Sequence, residues 1–270
     1  KIVKINPGKE KKLFLVTGLH GNEASLFEQL KEYITNLTTE VEITLILANE
    51  EAAKKNVRYI DQDLNRIFNS KLEAPLNIEQ RICQELKNII SGDLIIDFHT
   101  HSGTEKFTLL PKSNLTVKTI KFIKSLAISH CIIIKDDITD KGSLVEQYEN
   151  ALSIESGKHN SQEAIEFSKI CVSKALDFLS GKVNSQEKVN FLEAIEFIIN
   201  KTDKVETIYN NIKNFKRINI GDKISDNLTA KESFIPTLIS YTVQPNKKIM
   251  LKCKEIEIWM PAWENKFLLA

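Results

Sequence analysis

Short apolar runs alternate with longer amphipathic stretches over the first two-thirds of the chain. The apolar runs are rich in β-branched residues and end at Gly, Asn, Asp or Pro, which is typical of buried strands. They comprise Leu13–Thr17, Ile43–Ala48, Leu94–Phe98, Phe107–Leu110, Cys131–Ile134 and Ala151–Ile154. Helical spacing predicts helices over Glu23–Leu37, Asn77–Ile90, Thr116–Ile128 and Ser161–Leu179. This alternation predicts an α/β sheet with helices packed on both faces.

The pattern changes near residue 182. Val189–Asn200 retains helical spacing, whereas period-two alternation dominates from Lys204 onward. The alternation predicts strands at Val205–Tyr209, Phe215–Ile220, Thr237–Val243, Lys248–Lys252 and Ile256–Trp259, with a hairpin connection at Pro245-Asn246. We therefore expect an α/β domain over residues 1–200 and a small β-rich C-terminal domain over residues 201–270.

Composition narrows the class of protein. The chain has 37 basic and 36 acidic residues and a formal net charge of +1, so it lacks the positive field that general nucleic-acid binding requires. Its apolar runs are far shorter than the ~20 residues of a membrane-spanning helix. The four cysteines are dispersed singly, which argues against a disulfide framework and favours a reducing compartment. We expect a cytoplasmic protein without a nucleic-acid or membrane partner.

Two groups of histidines directly follow predicted strands. His20 and Glu23 lie just after the first strand, and His99 and His101 lie just after the third. Ligand sites in open α/β sheets form beyond the carboxyl ends of the strands. The two groups are therefore expected to converge in space although they are remote along the chain.

The residue types in these groups favour a metal site. Two imidazoles and one carboxylate with an open fourth position are the typical ligands of catalytic zinc, and His20, Glu23 and His99 supply that set. His101 competes with His99, because residues two apart on a strand share a face. A core histidine held by Asp97 is the structural alternative for His99. The sequence predicts one zinc ion per chain and leaves the choice between His99 and His101 open.

Arginine is rare in this chain and is concentrated in one segment. Only four of the basic residues are arginine, and Arg58 and Arg66 fall within nine residues of sequence. The guanidinium fork binds a carboxylate bidentately, which lysine does not reproduce. The segment is too polar for a strand and too irregular for a helix, so we predict a loop in which Asn65 and Arg66 bind a substrate carboxylate. A solvated loop closed by internal salt bridges is the alternative.

Glu155 lies at the end of the predicted strand Ala151–Ile154. Partial desolvation at such a position raises the pKa of a carboxylate toward the range that suits a general base. A strand-terminal surface glutamate fits the same pattern, and the residues alone do not choose between the two.

Four motifs occur in one chain order: Gly18–Glu23, Asp63–Arg66, Asp97–His99 and the strand ending at Glu155. Together they resemble the succinylglutamate desuccinylase/aspartoacylase family, within the zinc carboxypeptidase superfamily. The resemblance spans roughly residues 13–160 and implies a mixed sheet flanked by helices, as in zinc carboxypeptidases. The lead-in Arg58–Asp61 is more similar to aspartoacylase, whereas the surroundings of His99 and Glu155 are more similar to the desuccinylase.

The resemblance implies a role for each candidate residue. The implied roles are zinc ligation for His20, Glu23 and His99, general-base catalysis for Glu155, steadying of the scissile carbonyl oxygen for Arg58, and binding of the substrate carboxylate for Asn65 and Arg66. Aspartoacylases carry a further arginine shortly before the catalytic glutamate, where this chain has Val145. This departure argues against N-acetylaspartate specificity, and Lys141 or Lys158 would replace that arginine less rigidly.

The predicted activity is zinc-dependent hydrolysis by the 1–200 domain, which removes the acyl group from a small anionic N-acyl amino acid. Two alternatives stay open: a metallocarboxypeptidase that acts on peptides, and a non-catalytic binding protein whose β-rich domain engages a partner. The sequence leaves open the acyl group, the amino acid and whether the chain forms a homo-oligomer.

Overall fold

The structure is a computed structural model that describes residues 1–71, 74–126, 128–134, 142–182, 188–199, 215–225, 228–231, 233, 235–239 and 249–256. Its strands are β1 (Ile2–Ile5), β2 (Lys12–Thr17), β3 (Glu42–Leu47), β4 (Leu94–His101), β5 (Phe107–Pro111), β6 (His130–Ile134), β7 (Ala151–Lys158), β8 (Asn190–Ile199), β9 (Lys223–Ser225), β10 (Leu228–Thr229), β11 (Ile235–Ile239) and β12 (Ile249–Ile256). Its α-helices are α1 (Leu26–Thr35), α2 (Glu50–Lys55), α3 (Ile78–Ile89), α4 (Val117–Ser125) and α5 (Gln162–Leu179).

Ten strands form one mixed sheet in the order β1-β3-β2-β4-β7-β5-β6-β8-β12-β11, and β9 pairs with β10 separately. The neighbours β3, β2, β4 and β7 are parallel, and β5 is antiparallel to β7. The chain leaves β2 for β3 on one side and later returns to β4 on the other, which makes the β2–β4 boundary a topological switch point. A mixed α/β sheet with flanking helices confirms the predicted fold class.

Alternate residues of the central strands bury against opposite helical layers. In β2, Leu13 and Leu15 join the core beneath α1, α4 and α5, whereas Phe14 and Val16 join the core beneath α3. This two-sided burial explains why the central strands are continuous apolar runs, as is usual for parallel strands covered on both faces. Within the described ranges, every helix is too short or too polar to cross a membrane.

The helix predicted at Val189–Asn200 is wrong, because this segment forms β8. It pairs in parallel with β6 and antiparallel with β12. Phe191 contacts the core beneath α1, α4 and α5, while Leu192 and Ala194 belong to a third apolar cluster. The spacing of apolar residues in this segment fits a helix and a strand equally well, as is usual for short apolar runs. Pairing with β6 and β12 decides for the strand.

The strand predicted at Phe215–Ile220 is also wrong: the segment contains turns and an isolated bridge. Phe215 has a φ angle of 60°, which an extended strand does not accommodate. Thr237–Val243 and Lys248–Lys252 overlap the observed β11 and β12, which are antiparallel neighbours. Val205–Tyr209 and Pro245-Asn246 lie outside the described residues, as does most of Ile256–Trp259. The division into domains 1–200 and 201–270 stays a prediction.

All four cysteines are free and buried, and this leads to a first prediction. Burial raises the pKa of the Cys131 thiol to about 12 and also raises the pKa of Cys83 and Cys171. The reactive thiolate is therefore scarce at about pH 8, where an ordinary cysteine begins to ionise. We expect a thiol reagent to leave the folded protein unlabelled and to label all four positions in denaturant. Rapid labelling of the native chain, measured by intact mass, would contradict this burial.

Candidate active site

Four of the predicted site residues come together at the carboxyl edge of three adjacent parallel strands. His20 and Glu23 follow β2, His99 lies near the end of β4, and Glu155 lies in β7. In the parallel register of β4 and β7, His99 is directly opposite Glu155. This edge is also the topological switch point, where ligands bind in open α/β sheets.

His20, Glu23 and His99 form a buried group that could hold a metal ion. One ligand atom from each residue lies within 4.8 Å of the other two. His20 Nδ1 is 2.9 Å from Glu23 Oε1, and His99 Nδ1 is 3.0 Å from Glu23 Oε2. The two imidazoles therefore present the same ring nitrogen to one carboxylate. This is a donor set of two nitrogens and one oxygen, as catalytic zinc prefers.

The opposite nitrogen of each imidazole is held by a second carboxylate. His20 Nε2 is 3.2 Å from Asp63 Oδ1, and His99 Nε2 is 2.7 Å from Asp97 Oδ2. Such carboxylate–histidine pairs fix the ring orientation and the tautomer that leaves Nδ1 available to a metal. Asp97 was expected only as the partner of a structural histidine, and here it serves a histidine of the ligand group.

The electrostatics of the group suit a cation. Burial opposes ionisation of Glu23, but His20 and His99 outweigh it and hold the pKa of Glu23 well below its usual range. Burial likewise opposes protonation of His99, yet the carboxylates of Asp97 and Glu23 hold the pKa of His99 well above its usual range. The site thus favours positive charge among its carboxylates, which a divalent cation would supply in place of protons.

Two glycines allow the tight path of the chain around His20. Gly18 has a φ angle of 61°, in the left-handed region that favours glycine. A Cβ atom at Gly21 would lie 2.1 Å from the carbonyl carbon of Ala52 in α2, closer than any real contact. The backbone after β2 therefore packs directly on α2, and this brings His20 and Glu23 to the sheet edge.

His101 lies apart from the ligand group, although it is two residues from His99. Its Nε2 is 2.9 Å from the carbonyl oxygen of Glu105, and its Nδ1 accepts the N–H of Gly103 at 3.0 Å. The β4–β7 register shifts between His99 and His101, so the two histidines do not occupy equivalent positions. The structure thus groups His99, and not His101, with His20 and Glu23.

Arg58 lies beside the ligand group. Its Nε and Nη2 atoms donate to Asp63 Oδ2 at 3.0 and 2.9 Å, and its Nη1 lies 3.9 Å from Glu23 Oε1. Despite partial burial, His20, Arg58 and Arg66 hold the pKa of Asp63 well below its usual range. Asp63 therefore stays ionised and links the arginine to His20.

Asn65 and Arg66 follow Asp63 in a short 3₁₀ turn, Leu64–Arg66. The Asn65 side chain is buried, and its Oδ1 accepts the N–H of Leu144 at 2.8 Å. Its Nδ2 donors are therefore the part of the amide suited to a carboxylate ligand. Arg66 is partly buried and donates from Nη1 to the carbonyl oxygen of Asn65 at 2.7 Å.

The ion pair between Arg58 and Asp63 lies within the same loop, so the alternative of a loop closed by internal salt bridges is also partly right.

Glu155 combines a position beside His99 with a perturbed acidity. Burial raises the pKa of Glu155, and the Glu23 carboxylate adds to this effect, while His99 and His101 oppose it. A raised pKa brings a carboxyl group closer to the range in which it exchanges protons near neutral pH.

The structure also locates the positions where this chain departs from aspartoacylases. Val145 is buried in the core beneath α3. Lys158 is exposed at the end of β7, opposite His101, and Lys141 lies outside the described residues. Replacement of the missing arginine by either lysine stays a prediction.

A family model of the succinylglutamate desuccinylase/aspartoacylase catalytic domain matches residues 9–178. Succinylglutamate desuccinylase from Photorhabdus laumondii is 29% identical in an alignment of 136 residues that covers 42% of this chain and 42% of the relative, so this match spans less than half of that relative's length. An N-acyl-aromatic-L-amino acid amidohydrolase from Xenopus laevis is 24% identical in an alignment of 234 residues that covers 77% of this chain and 77% of the relative.

Solved structures share the fold. Succinylglutamate desuccinylase from Vibrio cholerae has a TM-score of 0.75 at 18% identity and covers 97% of this chain and 87% of its own. Murine aminoacylase 3 has a TM-score of 0.75 at 15% identity, and the match covers 92% of this chain and 96% of the aminoacylase chain. These likenesses extend the similarity in fold over nearly the whole chain. With the family model covering more than half of the sequence, this chain belongs to the succinylglutamate desuccinylase/aspartoacylase family.

Proposed function

We propose that this chain is a zinc-dependent amidohydrolase that removes the acyl group from a small anionic N-acyl amino acid. One observation carries the proposal: His20, Glu23 and His99 converge on one point, with Glu155 opposite His99 on the neighbouring strand. The relatives named desuccinylase and N-acyl amino acid amidohydrolase support the substrate class.

The residues present fit a zinc ion. Both histidines offer Nδ1 to a common point, both are braced by carboxylates at Nε2, and Glu23 completes a three-residue ligand set. Zinc bound there would act as a Lewis acid and lower the pKa of water to about 7.

Glu155 is the general base in this proposal. Its carboxylate takes a proton from the water molecule whose oxygen attacks the acyl carbon, and it then passes that proton to the amine nitrogen as the C–N bond breaks. The partly buried environment and raised pKa of Glu155 suit a group that must both accept and return a proton.

Arg58 stabilises the oxygen that becomes negative during the attack. The Nη1 group lies on the side of the ligand group, 3.9 Å from Glu23 Oε1, and it is the donor that we assign to this oxygen. Because Asp63 holds the guanidinium in advance, little reorganisation is needed during the reaction.

Asn65 and Arg66 bind the carboxylate of the amino acid. Asn65 and Arg66 are adjacent on one short turn, where the amide of Asn65 and the guanidinium of Arg66 would both donate to the anion. Binding at this point orients the acyl amide with respect to the ligand group and Glu155, which reduces the entropic part of the barrier.

A substrate panel tests the proposal. The purified protein is incubated with N-acetyl, N-succinyl and N-formyl amino acids and, in parallel, with short unmodified peptides, and free amine is measured together with bound metal. We expect hydrolysis of one or more acidic N-acyl amino acids by the zinc-loaded protein. Cleavage confined to peptides would favour the metallocarboxypeptidase, and bound zinc without any hydrolysis would favour the non-catalytic binding protein.

A further inference from the structure

Glu79 is a completely buried carboxylate outside the site described above. It lies in α3, with none of its surface exposed to solvent. Oε1 accepts the Ile60 N–H at 2.8 Å and the Asn49 side-chain amide at 3.0 Å. Oε2 accepts the backbone N–H groups of Asp61 at 3.0 Å and of Gln62 at 3.4 Å. Both oxygens are thus used, and three of the four donors belong to one short segment.

That segment, residues 60–62, lies between two groups of the candidate active site. Arg58 precedes it and Asp63 follows it. The Arg58 carbonyl oxygen accepts the Gly21 N–H at 3.1 Å, next to His20. Asp63 in turn contacts both the Arg58 guanidinium and His20 Nε2. The position of the 60–62 backbone therefore sets where the arginine and the aspartate stand relative to the histidine.

The fourth donor extends the same network to α2. Asn49 donates to Glu79 through Nδ2, and its Oδ1 accepts the Ala52 N–H at 3.1 Å as the N-cap of α2. Ala52 is the residue on which Gly21 packs most closely. One carboxylate thus joins α3, the N-terminus of α2 and the loop that carries Arg58.

We propose that Glu79 is a positioning residue for catalysis, which holds residues 60–62 so that Arg58, held by Asp63, meets the ligand group in the correct geometry. The inference rests on the proposed function, since it assigns Glu79 an effect on turnover through Arg58. A carboxylate is specifically suited to this task, because four N–H donors require two oxygens that both accept. Glutamine has the same shape but offers one acceptor oxygen and one donor group, which would face N–H groups.

The test compares Glu79→Gln with Glu85→Gln, a matched change at an exposed position of the same helix. Amide hydrogen exchange is measured over residues 58–66, and steady-state kinetics are measured on the substrate that the panel identifies. We expect faster exchange at residues 60–62 and a kcat lowered ~10- to 100-fold with KM changed less than ~3-fold, because the lost interaction acts in the transition state. Glu85→Gln is expected to match the wild type in both measurements.

A double-mutant cycle separates positioning from a general loss of structure. If Glu79 acts through Arg58, the Glu79→Gln effect on kcat shrinks to less than ~3-fold in the Arg58→Ala background. Full additivity in the cycle, or wild-type turnover by Glu79→Gln, would overturn the inference. Should Glu79→Gln not fold, Glu79→Asp, which retains both acceptor oxygens on a shorter side chain, enters the same cycle. A wild-type protein that hydrolyses nothing contradicts the proposed function instead, and the exchange comparison then decides whether Glu79 holds the segment.

Discussion

Replacing Glu155 by glutamine is expected to reduce turnover of an N-acyl amino acid by at least ~100-fold, the usual contribution of a positioned general base. The amide retains the size of the carboxylate but does not accept a proton from water. The zinc content is expected to equal that of the wild type, because Glu155 lies on the strand beside His99 and is not one of the three grouped ligands. Turnover and bound metal are measured on the same preparation.

The matched control for this variant is Glu149→Gln, an exposed position just before the same strand. It is expected to retain wild-type kinetics. The pH dependence adds a further check: burial raises the pKa of Glu155 from its ordinary value of 4.5, and the base works only when ionised. The wild-type kcat/KM is therefore expected to fall as the pH drops through that raised pKa. If the turnover of Glu155→Gln is within tenfold of the wild-type value, Glu155 is not the general base.

Replacing His99 by alanine is expected to abolish both metal binding and hydrolysis, whereas replacing His101 by alanine should leave zinc bound. Loss of an outer partner of a metal ligand typically weakens affinity ~10- to 100-fold, and loss of a ligand itself is expected to exceed that. His99 is one of the three grouped residues, while both ring nitrogens of His101 are used within its own loop. Metal content after gel filtration and turnover with added zinc distinguish the two variants.

A chelator provides the complementary measurement on the unmodified chain. Removal of zinc is expected to stop hydrolysis, because the proposed reaction needs the metal to activate water, and its return is expected to restore hydrolysis. Stoichiometric zinc in His99→Ala, or loss of zinc in His101→Ala, would show that His99 is not the metal ligand that we propose. Hydrolysis that continues in the chelated protein would remove the metal from the proposed mechanism.

The central part of the sheet could be predicted from the sequence, because two helical layers cover those strands and each run is apolar at all but one residue. Leu94–Phe98 and Leu13–Thr17 are of this kind, and the structure extends them by only a few residues. Edge strands carry a weaker pattern. At one edge, Ile2–Ile5 forms an unpredicted strand of four residues with alternating exposure. The strand β8 lies inside the sheet, between β6 and β12, and its spacing of apolar residues also fits a helix, so the sequence alone predicted the wrong element there.

The candidate ligands were found from their position after strands, since parallel strands bring their carboxyl ends to one edge. The choice between His99 and His101 could not be made in the same way, because it depends on a register shift and on contacts with Gly103 and Glu105. The bracing role of Asp63 was likewise hidden: its partner His20 is 43 residues away. Such pairs leave no periodic signal in a single sequence.

In the proposed mechanism, the pairing of His99 with Glu155 across β4 and β7 separates the chemistry from the recognition of the substrate. Adjacent strands lie ~4.8 Å apart, so the sheet itself sets the spacing between the candidate metal ligand His99 and the proposed base Glu155. Asn65 and Arg66, by contrast, lie on a connecting loop, a kind of segment that tolerates changes in sequence and length. If the proposed function is correct, changes in this loop would alter the acyl amino acid that is bound and leave the geometry of His99 and Glu155 unchanged.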